Sequence, residues 1–158
     1  MDKICVAEIE AVKDAHFRQI VALVRAVEGR YGPDVQQVIG QIPCDQAREK
    51  WTQRADANGD HSMEGLLETL WEPLKERGFV FTREDRPDGV QFRVTKCPKA
   101  DLARGLNAAD LGYMFFCATD ACLVEGWNEK IGFRRTQTLM EGAAVCDHFY
   151  SWKEDSAE

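Results

Sequence analysis

The sequence predicts an α+β domain. N-terminal helices come first, then two antiparallel hairpins that form a four-stranded sheet, with a helical insertion between the hairpins. Three observations predict it. Apolar residues recur at helical spacing through roughly the first half of the chain. The period switches to two at Val90, Phe92 and Val94, which alternate with Gln91, Arg93 and Thr95. A second helical stretch then gives way to a second pair of β-rich runs near the C-terminus. Strands in hairpins, interrupted by helices, pack as an antiparallel sheet with one face covered. The 158 residues read as one domain, 1–158, with no linker, repeat or low-complexity segment.

Taken in order, Cys5, Ile9, Val12, His16, Ile20, Leu23 and Val27 mark an amphipathic helix from about 3 to 28, ended by Gly29 and Gly32-Pro33. His16 lies on that apolar stripe and is read as a packed core residue. A short helix over 34–42 follows, and Pro43 suits the first turn of another, to about 55. Residues 56–64, DANGDHSME, place Asp56, Asn58 and Asp60 at calcium-loop spacing. His61 stands where that loop requires Gly, and Leu67 where it requires Glu, so the segment reads as a polar loop ending in a Ser62 helix cap. Leu66, Leu67, Leu70, Trp71 and Leu74 form one face of the next helix, which Pro73 kinks and Gly78 ends. Phe79 to Glu84 and Val90 to Thr95 pair around the turn Arg86-Pro87-Asp88-Gly89. Pro98 opens a helical region running to about Thr119, broken near Asn107, and Gly126-Trp127-Asn128 is a loop. Ile131–Leu139 and Val145–Trp152 are the third and fourth strands, turning at Glu141-Gly142-Ala143, and 153–158 is a frayed, charged tail.

The net charge of -7 and the absence of a basic stripe argue against nucleic acid as a partner. No run approaches a membrane span, and the start MDKICVAEIE lacks the apolar core of a signal peptide. A cytoplasmic location is the expectation. Six cysteines, at 5, 44, 97, 117, 122 and 146, are therefore expected as free thiols. Cys117 and Cys122 are the tempting pair, but on a continuous helix they point about 140° apart.

The densest chemistry lies in Thr136–Tyr150, where Cys146, Asp147 and His148 adjoin on a strand. A thiol, a carboxylate and an imidazole together supply a nucleophile, a metal ligand or a proton relay. Buried thiols beside surface polar residues are the plainer alternative.

The stretches that carry a family likeness are Phe92–Pro98, Leu111–Tyr113 with Cys117–Asp120, Gly126–Asn128 and Thr138–Asp147. They are a strand ending in Cys-Pro, a Cys-x-x-Asp element, a Gly-aromatic-Asn loop and a closing Glu-Gly…Cys-Asp signature. Together they resemble the L-2-amino-thiazoline-4-carboxylic acid hydrolase-like proteins over about residues 60–150. The order of elements also looks like vinyl-4-reductase-type domains, a likeness of architecture only. The family resemblance implies a hydrolase that opens a small thiazoline or amidine carboxylate at its C–S bond.

For that chemistry Cys117, Asp120, Cys146 and His148 are the catalytic candidates. Cys146 and His148 share one strand face, about 7 Å apart, and Asp147 points to the other. Arg134 or Arg135 would bind the substrate carboxylate, alternation allowing only one to face a given side, and Glu141 is a further substrate-binding candidate. No cofactor is expected. Zinc held by Cys97, Cys117 and Cys146 with Asp120 or His148 is the competing use of the same residues. A small molecule is the expected partner, with neither nucleic acid nor membrane. A homodimer, a non-enzymatic small-ligand or metal sensor and a structural dimerisation module stay open.

Overall fold

The computed structural model describes residues 3–154. Helix α1 spans Lys3–Tyr31 and ends at Gly32, whose φ of +90° suits a residue without Cβ. Its inward stripe is the buried pair Phe17 and Val24 with the half-buried Ile20 and Val21, at helical spacing and packed with Ala100, Ala103, Ala108 and Leu111. Ile9, Val12, Leu23 and Val27, assigned to the stripe from the sequence, are exposed. His16, read as a core residue, is exposed as well. Both sets of positions satisfy a helical period, and only the docking of α1 decides which set is buried. Glu10 fixes that docking by accepting from Arg77 Nε at 2.8 Å, while Lys99 Nζ lies 3.1 Å away. Burial works against its ionised form, but hydrogen bonds from Lys13, Arg77 and Lys99 outweigh it and hold the carboxyl down at about 2.

Helix α2 runs unbroken from Val35 to Asn58 with Pro43 inside it, correcting the two helices expected on either side of that proline. Proline removes one hydrogen bond in the ladder. The flanking turns keep their own bonds, and Trp51 and Ala55 anchor the helix in the core. After the 56–60 segment, Ser62 caps α3 (Met63–Glu76), its Oγ accepting from Gly65 N at 3.0 Å. Asp60 Oδ1 accepts from Ser62 N at 2.8 Å, so this loop shapes a helix start.

Strands β1 (Val80–Arg86) and β2 (Gly89–Lys96) form the first hairpin, with Arg86 opposite Gly89. Pro98 opens α4 (Pro98–Gly105), and Asn107, at φ +52°, breaks the chain before α5 (Ala109–Gly112). A π-helical turn, Tyr113–Cys117, leads into α6 (Thr119–Trp127). Gly126 and Trp127 are thus helical, where a loop was expected. β3 is short, Ile131–Arg134, rather than reaching Leu139. Asp147 is the reason: its carboxylate accepts from Thr136 N and Gln137 N at 2.9 Å each and draws the chain off the ladder. β4 (Cys146–Trp152) then pairs with both β2 and β3, giving an antiparallel four-stranded sheet in the order β1-β2-β4-β3. The predicted α+β class with its four-stranded antiparallel sheet is the observed one. Among the described residues no helix is long and apolar enough to cross a membrane.

Helices α2 and α6 lie so close that a Cβ on Gly126 would sit 2.2 Å from the Arg48 carbonyl oxygen. Thr52 Oγ1 donates to the Gly126 carbonyl at 2.8 Å. One turn earlier on both helices the same approach brings Cys44 and Cys122 to a Cα separation of 5.5 Å, and they form a disulfide. The expectation of six free thiols is therefore corrected. It weighed Cys122 only against Cys117 on the same helix, whereas the partner lies 78 residues away on another. Thiol counting on the denatured, unreduced protein should find two sulfurs unreactive. Cutting so long a loop by Cys44→Ala should lower unfolding stability by about 2–4 kcal/mol.

Candidate functional site

The inward face of β4 supplies Cys146, His148 and Tyr150, because side chains two apart on a strand share a face. Across β2 they oppose Val94, Phe92 and Val90, the alternating apolar set of the first hairpin. Trp71 of α3 stacks on Phe92 at 4.2 Å between ring centroids and meets His148 edge-on at 5.1 Å. The helices do not close over this face completely. They leave a cavity of about 630 Å³ that Cys97, Cys117, Asp120, Arg135, Cys146 and His148 all line. Its apolar wall includes Phe17, Trp51, Trp71, Phe116 and Met140.

Asp120, in the first turn of α6, stands at the centre of the polar cluster. It forms an ion pair with Arg135, and His148 Nε2 lies 3.4 Å from its Oδ2. Arg135 is only 6% exposed, donates from Nη2 to the Cys117 carbonyl at 3.1 Å, and is flanked by the Tyr113 and Phe133 rings at 5.7 Å each. The π-helical turn ends on Cys117, so the residue that accepts from Arg135 sits at an irregularity of the kind that often marks functional sites. In the neutral ring, an Nε2 turned toward a carboxylate carries the proton and leaves the lone pair on Nδ1. Nδ1 is buried and has no hydrogen-bond partner among the described residues, and the same holds for Trp71 Nε1.

The three thiols differ. Burial pushes all three up from the ordinary cysteine value, and Cys117 most strongly, with the Asp120 carboxylate adding to it. Backbone N–H groups of Lys99 and Ala100 oppose the rise at Cys97, and the Arg135 charge opposes it at Cys117. Cys146 has one support of each kind: the Leu139 N–H donates to its Sγ at 3.1 Å, and the Arg135 charge also opposes the rise. The resting thiols are therefore protonated at neutral pH, and a nucleophile must be made by a base. Among the described residues no three His, Cys, Asp or Glu side chains converge as a metal's ligands would.

Of the residues singled out from the sequence, Cys117, Asp120, Cys146, His148 and Arg135 meet in the cavity. Arg134 does not. It is opposite Phe149 on the outer face of the sheet, with its guanidinium 5.1 Å from that ring, so alternation selects Arg135. Glu141 is exposed in the turn, where its Oε2 accepts from Thr138 Oγ1 at 2.8 Å. Asp147 holds the 136–137 backbone instead of a catalytic neighbour. Sequence reasoning missed the cavity's cations Lys50 and Arg54. Their i,i+4 spacing on one face of α2 was the available signal.

A family profile described as L-2-amino-thiazoline-4-carboxylic acid hydrolase matches residues 12–150. No curated protein matches the chain.

Proposed function

The chain belongs to the L-2-amino-thiazoline-4-carboxylic acid hydrolase family, and from that premise and the cavity we propose that it hydrolyses a thiazoline carboxylate with Cys146 as nucleophile. The observation that supports this reading best is the cavity wall itself, where Cys146 and His148 lie on one strand face with Asp120 beside the imidazole. His148 takes the proton of Cys146 on its free nitrogen, and the sulfur adds to the ring carbon between nitrogen and sulfur. The ring C–S bond breaks, and its electron pair goes to the ring sulfur, which receives the proton from His148. The substrate is then held through a carbon–sulfur bond to Cys146 as an open isothiourea. Water, deprotonated by His148, adds to the same carbon, and Cys146 leaves and recovers its proton. The product is the N-carbamoyl derivative of cysteine.

Asp120 fixes the tautomer and orientation of His148 and balances its charge when protonated. Arg135 holds Asp120 in place through their ion pair. Cys117, protonated under burial, contributes an S–H to the cavity wall beside the reacting ring.

The direct test is thiol release. Incubation with L-2-amino-thiazoline-4-carboxylate should liberate one new small-molecule thiol per substrate consumed, read with a chromogenic disulfide after filtration. The wall tryptophans Trp51 and Trp71 report occupancy independently through their fluorescence. Saturable quenching without thiol release is the result expected of a ligand-binding protein, and it would remove the hydrolase reading.

A further inference from the structure

The charge on the cavity wall opposes that of the chain. The whole sequence carries -7. Yet the wall holds six cations, Lys13, Lys50, Arg54, Arg77, Lys99 and Arg135, against the single carboxylate of Asp120. Four of the six are ion-paired. Lys13, Arg77 and Lys99 converge on Glu10, with Asp14 also on Lys99, and Arg135 is paired with Asp120. Lys50 and Arg54 are left over. Neither makes an ion pair among the described residues, and the Arg54 guanidinium lies 4.9 Å from the Trp51 ring centroid. They are one turn apart on α2 at the exposed mouth, on a different element from those carrying the thiols. Partial burial and the charges of Arg54, Lys13 and Arg77 lower the Lys50 ammonium from its ordinary value, so an incoming anion relieves repulsion.

The second observation is size. A volume of about 630 Å³ lies in the range of pockets that take drug-sized ligands. It is larger than a single five-membered ring acid requires, and Phe17, Trp51, Leu70 and Phe116 make much of the surplus apolar.

We infer that Lys50 and Arg54 form an anion-binding subsite at the cavity mouth, and that the natural ligand is a carboxylate carried on an apolar body larger than the ring acid of the family name. The inference rests on the proposed hydrolysis only for which end of the ligand reacts. The anionic end lies toward α2 and the body along the aromatic wall, with the far end toward Cys146 and His148. An anionic probe alone tests the subsite, without turnover.

The probe is 8-anilinonaphthalene-1-sulfonate, an apolar body with one anionic group, compared with the uncharged N-phenyl-1-naphthylamine. Both are titrated into the folded full-length protein, with thermal melting to confirm folding of every variant. The wild type should bind the sulfonate tighter than the neutral probe. Lys50→Glu should weaken the sulfonate by about tenfold or more while leaving the neutral probe within about twofold. Lys50→Arg should retain the preference. Lys130→Glu makes the same charge change at an exposed turn outside the cavity wall and should alter neither probe. Equal affinity of the wild type for the two probes would overturn the subsite. So would an unchanged sulfonate affinity in Lys50→Glu, or an equal loss in Lys130→Glu. Loss of thiol release with an intact probe preference would count against the hydrolysis alone.

Discussion

Cys146→Ser is expected to cut turnover of L-2-amino-thiazoline-4-carboxylate by about a thousandfold or more while the protein stays folded. The hydroxyl occupies nearly the same space and still accepts from the Leu139 N–H, so the packing at this 7%-exposed position is kept. What is lost is a sulfur that His148 can deprotonate at neutral pH. Cys117→Ser should lose far less, within about tenfold, because its role needs only a protonated group on the wall. The two variants are compared by thiol release at saturating substrate. A Cys117→Ser variant as inactive as Cys146→Ser would exchange the roles of the two thiols.

Arg135→Met should destabilise the fold by about 3 kcal/mol, lowering the melting temperature by about 10 °C for a chain of this size. The effect that decides the sign is desolvation. The guanidinium is 6% exposed and Asp120 20%, so truncating the cation leaves a largely buried carboxylate with only the His148 imidazole, 3.4 Å away, beside it. Arg135→Lys should recover little. An ammonium cannot serve Asp120 and the Cys117 carbonyl through a planar fork as the guanidinium does. Arg135→Met combined with Asp120→Asn should regain much of the loss, because no uncompensated charge remains. Melting curves of the single and double variants measure this coupling. An additive double variant would mean that the pair is not the source of the cost.

The sheet was readable because its signal is local. Alternation at Val90, Phe92 and Val94, and the polar turn before it, fix β2 and its partner whatever covers them. Cys146 and His148 sharing a face followed from the same period. The failures are tertiary. Nothing near Pro43 tells that packing against α6 will carry a helix through it. The α1 stripe was ambiguous because two apolar sets satisfy the period, and the docking set by Glu10, Arg77 and Lys99 chose between them. The strand expected to reach Leu139 stops at Arg134, since Asp147, a residue of the next strand, captures the backbone. Arg135, just past the end of the strand, keeps the inward side that alternation from Phe133 and Arg134 gives it. The Cys44–Cys122 bond escaped for the same reason, joining helices whose proximity depends on Gly126 lying against Arg48.

The central claim is that Cys146 becomes covalently linked to the substrate carbon during ring opening. Acid quenching in the first turnover, followed by peptide mass spectrometry, tests it. Because ring opening on the thiol expels no atoms, the predicted adduct equals the full mass of the substrate on the peptide containing Cys146. An adduct on Cys97 or Cys117 instead, or thiol release with every cysteine peptide unmodified, would contradict the account.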